Sequence, residues 1–333
     1  MINEIFKIIN GVQIEVNSKV ELLGIFITLS DEPLNEQYKN FFSFSSNNDK
    51  YIEEIKESFS YLIENNMVDY FNYIKNKYKL HYHIPIEFAL NLNNSFEIEN
   101  KNELSNNDEI KGFLNMLKSV YESKEFINFY NSHKYIYLSW VEDIQDIFNK
   151  FDVTQTITNY CGEKYRYLKY YLTLIAFETS GGYGIKVDDK AYYCLRARKS
   201  AEENKLFTSS YVKTYLPITI HEFLHSIVNE LTRLNGVFTF DSSYLIKDHE
   251  SREYSNDFSI VNETIVRALT IRVYNILTNQ DDSKERLEKE VKNGFIYVPL
   301  IYSKLIEYEK HKDTYSEIDE FYPILAKSLI DKK

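Results

Sequence analysis

His221-Glu222-Phe223-Leu224-His225 is the stretch of this chain with the clearest chemistry. On a helix, residues four apart share a face, so the two imidazoles can grip one metal ion. Zinc accepts neutral histidine nitrogen at about 2.0–2.1 Å, and a catalytic zinc takes three protein ligands and keeps a fourth position for water. Glu222 stands beside the pair as a base for that water's proton. Ile218, Leu224, Ile227, Val228, Leu231 and Leu234 recur at helical spacing around the motif. Pro217 reads as a first-turn residue, where a missing N–H goes unneeded, and Gly236 as a left-handed stop.

Three ligands are needed, and the third has to come from elsewhere. Downstream, Ile260, Glu263, Arg267 and Ile271 fall along one helical stripe, with Val266, Leu269 and Val273 beside it. An acid on an apolar face is costly to leave unpaired, and a zinc ion would satisfy Glu263. The alternative is a Glu263–Arg267 pair at i,i+4 on a half-exposed face. His249, Glu250 and Glu253, on the intervening loop, are rival ligands, and Asp257 is a weaker one.

The motif followed by a glutamate on a second helix resembles the gluzincin branch of the zinc metallopeptidases. The phrases VELLGIFITLS, HEFLHSIVNE and NETIVRALTIR also resemble a poorly characterised bacterial family, a domain of unknown function with a zincin-like core. That second resemblance runs from about Val16 to about Ile276, and the zinc motif is its chemically specific part. It implies His221, His225 and Glu263 as ligands and Glu222 as general base. One departure stands out. The best-known gluzincins carry an aspartate four residues after the ligand glutamate, where it orients a zinc-bound histidine; here that position is Arg267.

Composition sets bounds on partners and compartment. The 333 residues are 44% hydrophobic and 27% charged, an ordinary globular profile, and 9 Gly and 5 Pro leave little room for linkers. A net charge of −11 with no basic patch argues against nucleic acid. The 29 Tyr and 22 Phe are not by themselves read as a binding cleft. Cys161 and Cys194 are expected as two free buried thiols, a single bridge being the alternative. No signal-peptide pattern opens the chain, and the longest apolar run, Leu22 to Leu29, is too short to span a bilayer. A cytoplasmic location is the expectation, or secretion if a signal has been trimmed.

Along the chain, GVQIEV reads as a short strand, and Ser18-Lys19-Val20-Glu21 as a capping box opening a helix to about Ser30. Asn47-Asn48-Asp49 reads as a turn and cap, followed by helix from Tyr51 to Lys79 with a break near Asn65-Asn66. His81 and His83 alternate as strand residues do, with Pro85 interrupting them; they read as solvated or cleft-lining histidines, a second metal site being the alternative. Asn107 and Ser123 start further helices, and another is expected over Trp140 to Phe151. Tyr165 to Glu178, Tyr183 to Val187 and Tyr192 to Arg198 read as two or three antiparallel strands, with a turn at Gly181-Gly182. In the zincin arrangement that this resembles, an edge strand pairs with an extended peptide; a hairpin that only covers the core is the other reading. Helices over Ser283 to Asn293, Pro299 to Lys312 and Ser316 to Asp331 complete the chain.

The expected fold is α+β and mainly helical, a zincin-like core with a small antiparallel sheet beside the zinc-binding helix. Residues 1–153 form a mainly helical N-terminal region and 154–333 the catalytic region, packed as one globular unit. The expected activity is zinc-dependent hydrolysis of peptide bonds in a peptide or protein substrate, with Glu222 relaying the proton to the leaving amine. Arg267, Tyr254 and His249 are candidates to stabilise the oxyanion, and spacing does not choose among them. The alternatives are a non-catalytic scaffold with a structural metal or none, and a zinc hydrolase of non-peptide amides. Retention of a base beside the ligands argues against the scaffold.

Overall fold

A computed structural model describes residues 2–30, 49–80, 84–99, 103–175, 183–196, 209–235 and 257–330. His81, His83, Gly181, Gly182, Gly236, His249, Glu250, Glu253 and Tyr254 lie outside the described residues.

The chain opens with a hairpin of β1 (Ile5–Ile9) and β2 (Val12–Val16). Asn10 and Gly11 both take positive φ, 45° and 78°, as a two-residue turn matched to strand twist requires. Helix α1 (Ser18–Leu29) follows. Its cap is Asn17, whose Oδ1 accepts from the N–H groups of Lys19 and Val20, and not Ser18 as the capping box suggested. Ser18 is already helical, and its hydroxyl donates to Glu4 instead. Glu21 turns inward, where Tyr51 donates to it at 2.6 Å.

Next come α2 (Asp49–Glu64), α3 (Met67–Lys77), α4 (Ile84–Leu90), α5 (Asp108–Tyr121), α6 (Lys124–Ser132), α7 (Lys134–Lys150) and α8 (Val153–Cys161). Asn66, at φ 58°, makes the expected break between α2 and α3. Helix α7 begins well before the expected Trp140, because Tyr137 extends its buried face backwards. The second half holds β3 (Lys169–Ile175), β4 (Tyr183–Val187), β5 (Lys190–Arg196), α9 (Ser209–Leu234), α10 (Asp257–Thr278), α11 (Ser283–Lys292), α12 (Val298–Lys310) and α13 (Ile318–Ile330).

The five strands form one sheet in the order β1-β2-β3-β5-β4. It is mixed, not antiparallel: β2 and β5 both run parallel to the central β3, while β1 and β4 are antiparallel edge strands. The physical cause is visible in β3, which is buried on both faces from Leu172 to Ile175, as a central parallel strand must be. The expected β4–β5 hairpin is present, turning at Asp188 with φ 52°. The sheet joins strands from before and after position 153. The fold is α+β and mainly helical.

Helix α9 lies against β4 and β5 on one side and α10 on the other, and α10 in turn packs on α12. Phe223 of α9 meets the Tyr170 ring of β3 at 4.9 Å. Ile220, Phe223, Leu224 and Val228 from α9, with Val261, Ile265, Val266 and Leu269 from α10, are fully buried. Each such side chain contributes about 1.5–3 kcal/mol when taken out of water. Helix α9 starts upstream of Pro217, which therefore sits inside it and not in its first turn. A proline there removes one backbone hydrogen bond and crowds the carbonyl four residues back. Burial of Leu216 and Ile220 on either side offsets that cost.

Candidate metal centre

The apolar faces that lock α9 to α10 leave His221 and His225 pointing across to Glu263. Thr232, about two helix turns beyond His225, hydrogen-bonds Asn262 of α10, pinning the two helices together, and Tyr322 of α13. His225 Nε2 lies 3.1 Å from His221 Nε2 and 3.2 Å from Glu263 Oε1; His221 Nε2 lies 3.5 Å from Glu263 Oε2. The imidazole planes stand at 82°. Among the described residues these three form the group able to hold a metal ion, with all ligand atoms within 4.8 Å of one another. Glu263 is 7% exposed, so it faces inward.

The spacing can be tested against coordination chemistry. Four ligands placed tetrahedrally at about 2.05 Å from an ion stand about 3.3 Å apart. The three observed separations bracket that value, with Glu263 meeting His225 through Oε1 and His221 through Oε2. Two imidazole nitrogens approaching this closely also need something positive between them, a shared proton or a cation.

Asn229, one turn further along α9, was not singled out by sequence. Its Oδ1 lies 3.1 Å from His225 Nδ1, so it accepts the Nδ1–H and turns Nε2 to the centre. The i,i+4 run His221, His225, Asn229 was the available signal. Glu222 lies against β4, where the Gly184 N–H donates to its carboxylate, and it still feels the charges of His221, His225 and Glu263. A Cβ on Gly184 would stand 2.5 Å from the Glu222 main-chain oxygen, so this close approach of strand to helix needs glycine. Lys186, two residues on, pairs with Glu230 of α9.

The electrostatics follow from burial and proximity. Burial raises the Glu222 carboxyl above its ordinary range, against the opposing pull of His221 and His225. Burial alone would lower His225, but the Glu263 carboxylate, helped by Glu222 and Asn229, holds it up at about 9. Glu263 is pushed up by burial too, yet the two histidines outweigh that and hold it well below the usual carboxylate range.

Arg267 is engaged on two sides. Its Nε donates to Glu263 Oε2 at 3.1 Å and its Nη1 to Glu290 of α11 at 2.7 Å, while the guanidinium lies 3.9 Å from the Phe295 ring centroid. Glu263 thus pairs with Arg267 and faces the two histidines, and it does so on a buried face, not the half-exposed one that the ion-pair reading supposed. Asp257 opens α10, with its side chain outside the described residues. Cys161 and Cys194 are free and buried, and burial pushes the Cys161 thiol up to about 12. A cavity of about 500 Å³ lined by Glu15, Lys19, Tyr171, Lys190 and Tyr192 involves none of the three candidate ligands.

No curated protein and no solved structure matches this chain. The family described as Domain of unknown function (DUF4932) matches residues 98–328. That span takes in α9, α10 and the whole candidate centre, and it begins after the VELLGIFITLS phrase of α1. Covering well over half of the sequence, it shows that the chain belongs to the DUF4932 family.

Proposed function

We propose that the protein is a zinc metallopeptidase with His221, His225 and Glu263 as ligands and Glu222 as general base. The observation that carries this reading is the convergence of two histidine nitrogens and one buried carboxylate within reach of a single ion, with an acid that is not a ligand beside them. Nitrogen and carboxylate donors of this kind suit zinc. Zinc held there supplies a Lewis acid and an acidified water. Asn229 orients the ring of His225 through Nδ1. Glu222, raised by burial, is poised to take the water's proton and to return it to the departing amine. Hydrolysis leaves Glu222 ionised again, so the base turns over.

The peptide part of the proposal rests on β4. It is an edge strand, paired with β5 among the described strands, and it runs beside α9 at Glu222. An edge of this kind can take up an extended peptide as one more strand. The arrangement is similar to that of the gluzincins, with Arg267 in place of their orienting aspartate. No described helix is long and apolar enough to cross a membrane.

The test compares wild type with Glu222→Gln on a peptide library read by mass spectrometry. The amide cannot accept a proton, so the variant should keep its metal and lose cleavage. Equal cleavage by both proteins would refute Glu222 as base. Stoichiometric zinc with no cleavage by either would favour a non-catalytic scaffold.

A further inference from the structure

We propose that Arg267 is a positioning residue for the ligand carboxylate of Glu263, and that Glu290 holds Arg267 in that role; this rests on the reading of Glu263 as a metal ligand. A carboxylate's terminal torsion is soft, and on its own it does not fix which oxygen faces the ion. Here the two oxygens have different partners. Oε1 faces His225 at 3.2 Å, while Oε2 accepts from Arg267 Nε at 3.1 Å and stands farther, 3.5 Å, from His221. The Arg267 contact therefore sets the plane of the carboxylate, so that Oε1 is turned to His225 and Oε2 to His221.

Arg267 can do this because it is itself restrained three ways. It lies one helix turn from Glu263, its Nη1 is gripped by Glu290, and its flat face rests on Phe295. A planar guanidinium spans two carboxylates with two different nitrogens, which an ammonium on a flexible stem cannot reproduce. Glu290 also balances the charge. A bare arginine close to a dication would repel it, whereas Glu263, Arg267 and Glu290 together carry a net negative charge. With Nε and Nη1 so used, Arg267 is tied to the ligand carboxylate and to Glu290. Ligand orientation is thus divided between Asn229, which acts on the histidine, and Arg267, which acts on the carboxylate.

The experiment uses the full chain loaded with Co²⁺, reading affinity by competition with a chromophoric chelator and geometry by visible ligand-field absorption. Arg267→Gln should weaken metal binding about 10–100-fold, the usual range for loss of an outer partner, and should alter the cobalt spectrum. Arg267→Lys should recover only part of the affinity, and Glu290→Gln should shift it in the same direction by less. Wild-type affinity and spectrum in a folded Arg267→Gln protein would overturn the proposal. If Arg267→Gln does not fold, unchanged affinity and spectra in both Arg267→Lys and Glu290→Gln overturn it equally. A wild-type chain that binds neither Co²⁺ nor Zn²⁺ would instead overturn the metal reading beneath it, a result distinct from either of these.

Discussion

Gly184→Ala isolates what the edge strand does for the base. The added Cβ would lie 2.5 Å from the Glu222 main-chain oxygen and 3.1 Å from its carboxylate. Ordinary contact for such a pair begins at 3.4 Å, so β4 must retreat from α9 by roughly the difference, about 0.9 Å. Main-chain oxygen in a helix cannot swing aside, and the strand therefore moves. Two consequences follow. Overpacking of this kind costs about 1–3 kcal/mol. The Gly184 N–H also leaves the Glu222 carboxylate, and a misplacement near 1 Å can cost about 100-fold in rate. The ligands sit on α9 and α10, not on β4, so metal affinity should hold. The assays are thermal melting, chelator competition and peptide cleavage, run in parallel on the variant and wild type. Wild-type cleavage and stability in Gly184→Ala would refute the close approach. Loss of metal would show that β4 supports the ligands as well as the base.

Glu263→Ala should lower zinc affinity by more than the about 10–100-fold that loss of an outer partner brings; a change of only about 0.2–0.5 kcal/mol in stability, with zinc unaffected, would reduce Glu263 to a partner of Arg267. Asn229→Ala should release the His225 ring and weaken zinc about 10–100-fold by titration, while leaving the helical circular dichroism unchanged. Zinc needs His225 unprotonated, and that group holds its proton up to about 9, so affinity should rise about tenfold per pH unit from about pH 7 to about 9 and then level off. Calorimetry in buffers of different ionisation enthalpy should then count about one proton released per ion at pH 7, and a flat pH profile would refute the coupling. In the metal-free protein the sign is opposite. A raised histidine pKa contributes stability that is full below about pH 6.5 and fades as pH rises through about 9, so the apo melting temperature should fall across that window.

What the sequence alone determined was local. Helical spacing placed His221 and His225 on one face with Glu222 beside them, marked Glu263 as an acid among apolar neighbours, and located most helices, because those signals live within a few residues of one another. The Ser18 capping box and the Pro217 start were misread for the same reason. Asn17 offers the better-placed oxygen, and buried Leu216 carries α9 back through the proline, neither of which a local rule weighs. The sheet's mixed order was decided by tertiary structure: β2 comes from more than 150 residues upstream of β3, and β5 inserts between β3 and its sequence neighbour β4. No periodicity encodes which strands become partners, since pairing depends on which faces the helices leave to be buried. The approach of Gly184 to Glu222, and the hold of Glu290 on Arg267, arise the same way. They join different elements, and only the packing of α9 on the sheet and of α11 on α10 brings them within hydrogen-bonding distance.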